Sequence, residues 1–409
     1  MTEEEEDRDR ALWASVPWTP VTGPPGPTTP DDTTITSAAS STTGNGSVII
    51  GWQKKDVPYL PNATALQAFD IWIPASSTSS SQQPSKEGSA VDVVPPEPNS
   101  IPGGKGVWVV FLHGGAWRDP RVSSTSFSPT AGHILRHIHN RHQKEDVRLG
   151  GMISLNYRLS PHPDYPPNHP EYPGDGRGAK HPDHIHDVLS GISFLQRLLK
   201  PSPENEDEFV LVGHSCGATL AFQALMDSSR RGLPPTQGLV KPSVVVGVNG
   251  LYDLAGFIKA PTKGYEGLRD AYEKFVAGAF GEDESVWREV GPASAGNWLP
   301  EWQTLEGGQR TEEGRKRVRK RKAVLVQSKQ DTLVPYDQLE KMRDYLLKHA
   351  TTAAAAAAAG DGDGDGDGDG EEERAGLQVF EMEIGGEHDE IWEKGDQLAR
   401  ILLKVISWL

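Results

Sequence analysis

Runs of seven or so mostly apolar residues recur along this chain, and between most of them the apolar positions return every three or four residues. The strand-like runs are LQAFDIWIP (66–74), GVWVVFLH (106–113), MISLNYRL (152–159), EFVLVGH (208–214), SVVVGVNG (243–250), AVLVQSK (323–329) and LQVFEMEI (377–384). Helical spacing marks ILRHIHNRH (134–142), HIHDVLSGISFLQRLL (184–199), CGATLAFQALMDSS (216–229), YDQLEKMRDYLLKHA (336–350) and DQLARILLKVISWL (396–409). Apolar strands alternating with amphipathic helices predict an α/β fold, with a mostly parallel central sheet covered by helices on both faces. The stretch near 255–310 breaks the rhythm. It holds Tyr265, Tyr272, Phe275, Trp287, Trp298 and Trp302 and reads as a small cap-like insertion over the C-terminal edge of the sheet.

Three stretches lack any apolar period. Residues 19–47 and 76–104 are rich in Pro, Ser, Thr and Gly, and 351–374 runs from polyalanine, a potential helix extension, into an Asp-Gly repeat. Such segments bury too little apolar surface to offset their ordering entropy. The expected organisation is a disordered, low-complexity N-terminus over 1–47 and one domain over 48–409, with flexible inserts near 76–104 and 351–374. The Asp-Gly repeat lacks the spaced ligands of a calcium loop and reads as a solvated insert.

Charge narrows the function classes. The 409 residues carry a formal net charge of -16, and the only strong basic block is RKRVRKRK at 315–322. A nucleic-acid binder is expected to present a basic face, so that class is disfavoured, and the short run reads as a solvated lead into the next strand. Cys216 is the single cysteine, which excludes an internal disulfide and fits a reducing compartment. The N-terminus, MTEEEEDRDR, lacks the basic-then-apolar signal pattern, and no apolar stretch approaches the roughly 18 residues of a spanning helix. A cytoplasmic protein with no membrane partner is the expectation.

The chemistry concentrates where strands end. VGHSCGATL (212–220) follows one strand and opens a helix, the setting of a G-x-S-x-G nucleophile elbow that would expose the hydroxyl of Ser215. Out of that setting the pattern is weak, and a Gly-rich turn with a capping serine matches it as well. A serine hydroxyl needs a base to take its proton and an acid to orient that base, in the chain order Ser, Asp or Glu, His. Downstream of Ser215 lie only two histidines. His349 falls in the last turn of a charged helix, where it would cap carbonyls, whereas His388, in IGGEHDEIW, directly follows a strand and precedes the final helix. For the acid, Asp331 in QDTLVP competes with Asp253 in GLYDL; Asp331 follows the last strand before that of the histidine and is preferred.

The turn HGGAW, His113 to Trp117, ends the first fully apolar strand. Its glycines Gly114 and Gly115 leave backbone N–H groups unshielded, and with the N–H of Cys216 they form a candidate oxyanion hole. Trp117 would wall the substrate pocket. Cys216 is called on here for its backbone, not its sulfur. HPDHIHD (181–187) could suggest a metal site, but His181, His184 and His186 point to different sides of a helix start, and Asp187 reads as an anchor of that turn. His133, His137 and His142 lie on a mostly polar helix.

With HGGAW, GHSCG, GLYDL, QDTLVP and GGEHDEIW in this order, the sequence resembles the kynurenine formamidase family in its fungal form, over most of residues 50–409. The resemblance implies an α/β-hydrolase fold and removal of the formyl group from N-formyl-L-kynurenine in tryptophan catabolism on the way to NAD. It implies the HGGxW motif at His113, Gly114, Gly115, Ala116 and Trp117, the triad Ser215, Asp331 and His388, no cofactor, no metal, and a homodimer. A third glycine, more frequent at position 116 in plain esterases, is replaced by Ala116. Two other readings remain open at this level: a broad-specificity carboxylesterase, and a hydrolase-like binding protein without chemistry.

Overall fold

In the computed structural model, the described residues are 2–24, 42–43, 47–75, 96–97, 100, 106–140, 148–172, 174, 176–200, 208–226, 232, 239–303, 321–359 and 377–409. The 76–104 insert, apart from 96–97 and 100, the Asp-Gly repeat and the first six residues of the basic run lie outside them.

Ten strands form one sheet: β1 (Thr19–Gly23), β2 (Thr42–Thr43), β3 (Ser47–Pro58), β4 (Ala68–Pro74), β5 (Val107–Leu112), β6 (Leu149–Leu155), β7 (Glu208–His214), β8 (Val244–Val248), β9 (Arg321–Ser328) and β10 (Leu377–Ile384). Their order is β1-β3-β4-β6-β5-β7-β8-β9-β10, with β2 on β3. From β6 through β5, β7, β8, β9 to β10 every pairing is parallel, and β4, β3 and β1 extend the sheet antiparallel. Every residue of β5 and β8 is buried, as expected of strands covered on both faces.

The helices are α1 (Glu3–Ala14), α2 (Ser128–Asn140), α3 (Asp183–Leu199), α4 (Cys216–Gln223), α5 (Leu254–Lys259), α6 (Arg269–Phe280), α7 (Glu284–Val290), α8 (Leu299–Gln303), α9 (Asp337–Ala359), α10 (Glu390–Lys394) and α11 (Asp396–Ile406). Two apolar clusters fill the two faces of the sheet. One gathers α3, α4 and α5–α8; the other gathers α2, α10 and α11. α11 meets it with Leu398, Ile401, Leu402, Val405 and Ile406, a stripe at helical spacing.

The first 24 residues depart from the expected disordered N-terminus. Thr2 caps α1 through a capping box with Glu5. Trp13 and Trp18 are buried with their rings 5.7 Å apart, edge to face. The Nζ of Lys54, on β3, donates to the carbonyl of Trp13 (2.7 Å) and lies 4.3 Å from that ring's centroid. Arg197 of α3 pairs with the buried Asp9 at 2.6 Å. Composition missed this segment because two tryptophans and the ion pairs of Asp9 with Arg197 and of Glu6 with Lys200 supply the apolar area and anchoring that its acidic average conceals.

The insertion is built from α5 to α8. Trp287, Trp298 and Trp302 are buried, and each indole N–H donates to a carbonyl, of Gly281, Pro292 and Pro242. Trp298 also packs on Phe222 of α4 and stacks on Tyr345 of α9, so the insertion shares the apolar cluster of that face.

Candidate active site

Three loops that leave the C-terminal ends of parallel strands carry the candidate triad, and a fourth, after β5, carries HGGAW. β7 runs into Ser215, whose φ of 54° and ψ of -122° lie where L-residues are strained, and α4 begins at Cys216. Its tightness requires the flanking glycines: a Cβ on Gly213 would lie 2.1 Å from the Gly217 carbonyl oxygen, and one on Gly217 2.3 Å from that of Leu112. The Ser215 N–H donates to Val248 of β8 (2.9 Å), which ties the elbow to the neighbouring strand. Ser215 is 6% exposed.

Asp331 follows β9 and is 2% exposed. One carboxylate oxygen, Oδ1, accepts from the backbone N–H groups of Leu333 and Val334, both at 2.8 Å; Oδ2 accepts from Gln327 Nε2 (3.3 Å) and from His388 Nδ1 (2.7 Å). The carboxylate is thus fixed from both sides, and it sets the His388 proton on Nδ1, leaving Nε2 with its lone pair. His388 is 6% exposed and follows β10. Its carbonyl accepts from His214 Nε2 (3.0 Å) and Asn249 Nδ2 (3.1 Å), so the base loop is held against the residue preceding Ser215.

Asp253, the other candidate acid, does different work. It is the N-cap of α5, accepting from Gly256 N–H at 3.0 Å, and it pairs with Lys341 at 3.6 Å. His349 lies inside α9 instead of at its end, with its ring 4.5 Å from that of Tyr345.

HGGAW leaves β5 as a left-handed turn, with φ of 91° at Gly115, 49° at Ala116 and 58° at Trp117. A Cβ on Gly114 would lie 3.2 Å from Ser215 Cβ and 2.8 Å from His214 Nδ1, so this position must be bare for the turn to approach the nucleophile. His113 is buried with its ring stacked on Tyr157, 4.4 Å between centroids. Burial pushes its pKa down to about 4, so it is neutral near pH 7. Trp117 is 0% exposed, packed between Phe275 (6.0 Å) and Phe280 (5.0 Å) of α6; its indole N–H has no partner among the described residues.

Several contributors were not legible as such. His214 appears in the motif only as its variable position, yet it is buried and anchors the His388 loop; burial, with His388 beside it, pushes its pKa down to about 4. Asn249 adopts a φ of 46°, a conformation Asn tolerates, and bridges His388 to β9 by accepting from Ser328 N–H at 3.0 Å. The VNG at the end of β8 was the available signal. Tyr265 and Tyr272 brace the acid loop by donating to the carbonyls of Asp331 and Leu333.

The histidine cluster at 181–187 divides as its spacing suggests. His186 is exposed, whereas His184 is buried and bonds Ser160 Oγ at 3.0 Å. Burial takes the His184 pKa to about 3. Asp187 binds Arg158 Nε (2.8 Å) and Gln67 Nε2 (2.9 Å).

Among the described residues, the only group with metal-ligand geometry is His214, His388 and Asp389, whose ligand atoms lie within 4.8 Å of one another. His388 Nδ1 is bound to Asp331, His214 Nε2 to a carbonyl, and Asp389 Oδ1 accepts from Trp392 Nε1. A cation there would draw on His388 Nε2, the nitrogen a serine nucleophile needs.

The chain matches the α/β hydrolase family model over residues 109–360. A kynurenine formamidase-like hydrolase of Fusarium equiseti is 32% identical over 356 residues, covering 86% of this chain and 94% of that protein. A kynurenine formamidase of Aspergillus versicolor is 28% identical over 294 residues, 71% of this chain and 86% of its own length. A kynurenine formamidase of Meyerozyma guilliermondii is 30% identical over 240 residues, 58% and 70% respectively. No helix among the described residues is long and apolar enough to cross a membrane. Sheet order, strand-to-helix elbow and sequence matches agree: the chain belongs to the α/β hydrolase family, as a kynurenine formamidase-like member.

Proposed function

We propose that this chain hydrolyses N-formyl-L-kynurenine to L-kynurenine and formate, through Ser215 as nucleophile, His388 as base and Asp331 as the acid that orients it. The observation that carries the reading is the pairing of His388 Nδ1 with a doubly anchored Asp331 at 2.7 Å, on a loop tied to the residue before Ser215. The named relatives support the formamide as substrate.

In this scheme Ser215 Oγ attacks the formyl carbon as its proton passes to His388 Nε2. The oxyanion is met by backbone N–H groups of the Gly114–Gly115 turn and of Cys216; those of Gly115 and Cys216 bond no other described residue. Collapse breaks the C–N bond, and His388 returns the proton to the departing aryl amine. Water, deprotonated by His388, then cleaves the formyl ester and releases formate. Trp117, fully buried against Phe275 and Phe280, backs the turn on the side of the insertion, and the scheme expects a narrow acyl side. Cytoplasmic location, homodimerisation and the absence of a nucleic-acid partner belong to the same reading, supported by composition and family resemblance alone.

The test is kcat/KM for formyl, acetyl and butyryl derivatives of one aryl amine, with a short p-nitrophenyl ester alongside. A steep fall from formyl to butyryl is expected, beyond the 1–3 kcal/mol that one methylene discriminates by apolar contact. A flat or rising series would replace the formamidase with a general esterase.

A further inference from the structure

The side chain that follows the nucleophile touches the oxyanion turn. Trp117 N–H donates to Cys216 Sγ across 3.3 Å, and both residues are fully buried. The hydroxyl of Tyr157 lies 3.7 Å from the same sulfur and donates to the carbonyls of His113 (2.9 Å) and Gly114 (3.3 Å). One thiol therefore meets the turn at its far end directly and at its near end through a tyrosine.

The turn needs such a hold. Ala116 and Trp117 are consecutive non-glycine residues at positive φ, a strained conformation that persists only where the surroundings over-determine it. Arg118 and Asp119 N–H groups close the turn on Gly115, and Ser160 N–H holds the Trp117 carbonyl (2.8 Å). None of these contacts refers the turn to the elbow. The bond to Cys216 does, because its backbone N–H and its sulfur belong to one residue at the first position of α4.

We infer that Cys216 Sγ is a positioning residue, which sets the spacing between the oxyanion donor on the elbow and those on the HGGAW turn. The inference rests on the serine-hydrolase reading of this site. A reactive-thiol role does not fit: burial pushes the Cys216 pKa up to about 11, so the sulfur keeps its proton near pH 7. As a neutral thiol it can accept from Trp117 while donating to Tyr157, which in turn donates to His113, forming a continuous buried chain of hydrogen bonds.

The experiment compares Cys216→Ala, Cys216→Ser, Tyr157→Phe and the Cys216→Ala/Tyr157→Phe double variant. Turnover is measured with N-formylkynurenine and p-nitrophenyl acetate, binding with an aryl boronic acid that adds to the serine as a tetrahedral mimic, and folding by thermal melting. Cys216→Ala should lower kcat about 10- to 100-fold with little change in KM, as misplacement of catalytic groups by an ångström or less does. Boronate affinity should fall by a similar factor. Cys216→Ser, which retains an acceptor, should recover most of both. Tyr157→Phe, which keeps the ring on His113, should move kcat and boronate affinity in the same direction, and the double variant should lose less than the product of the singles. Normal kcat in Cys216→Ala, or a lower melting temperature with unchanged kcat and boronate affinity, would overturn the inference. If Cys216→Ala does not fold, Tyr157→Phe with wild-type kcat and boronate affinity would do the same. A wild-type enzyme that cleaves the ester but not the formamide, with ester turnover following the variants as described, would remove the substrate assignment and leave the positioning role intact.

Discussion

His388 Nδ1 and Asp331 Oδ2 lie 2.7 Å apart although 57 residues separate them in sequence. Parallel strands β9 and β10, paired from Arg321–Leu377 to Ser328–Ile384, end level with each other and deliver the two loops to one place. Whatever is inserted between the strands at their opposite ends leaves this register to the ladder.

Exchanging the acid separates the two aspartates. Asp331→Asn keeps the shape but presents the wrong hydrogen-bonding group to His388, and kcat should fall by about 10⁴, as for a triad acid generally. Asp253→Asn should leave turnover near normal and alter the melting temperature only slightly, since Asn also caps helices. Steady-state kinetics of the two variants decides the assignment.

Ser215 offers a test that combines stability and chemistry. Both Ser215→Ala and Ser215→Gly should lose turnover to the level the oxyanion donors alone sustain. Glycine accepts φ of 54° and ψ of -122° without strain whereas alanine does not. The glycine variant should therefore melt above the alanine variant despite glycine's greater unfolded-state entropy. The reverse order would show an unstrained elbow.

Three buried histidines give the stability a pH slope. Burial lowers the folded-state pKa values of His113 and His214 to about 4 and of His184 to about 3, against about 6.5 unfolded. Between these limits the unfolded chain binds more protons, so stability rises with pH. It should be fully present above about pH 7 and decline as pH falls from 6.5 toward 4. One unit below the unfolded value, each histidine accounts for on the order of 1 kcal/mol. Urea unfolding at pH 7.5 and 5.5 checks this, and a constant midpoint would contradict it.

The N-terminal segment should matter for stability more than for chemistry. Trp13→Ala removes a fully buried indole and should cost about 3–5 kcal/mol. Arg197→Ala would remove the closer of the two arginines paired with the buried Asp9, leaving it only Arg8 at 3.5 Å. Neither residue lies at the candidate site, so kcat of the folded fraction should hold. Melting curves beside kinetics at 20 °C make the comparison.

The parallel half of the sheet was legible because short unbroken apolar runs such as VWVVFL alternate with helical patterns, as strands covered on both faces do. The elbow and the loops that carry Asp331 and His388 were legible because each motif sits where a strand stops. Of the antiparallel strands β4 was legible but β3 was obscured: it places Lys54 at zero exposure and carries exposed positions within one run, so neither a period of two nor an apolar run stands out. The Trp117–Cys216 contact joins residues 99 apart and depends on a backbone turn that no local pattern encodes.

Because Cys216 is the only cysteine of the chain and is wholly buried, the protein carries its own probe of opening at the elbow. A thiol that is both shielded and protonated reacts with an aromatic disulfide reagent only while the turn is displaced from α4, so the labelling rate counts those excursions. A boronate seated on Ser215 should slow labelling in proportion to its occupancy, converting a colour change into a binding isotherm with no introduced reporter.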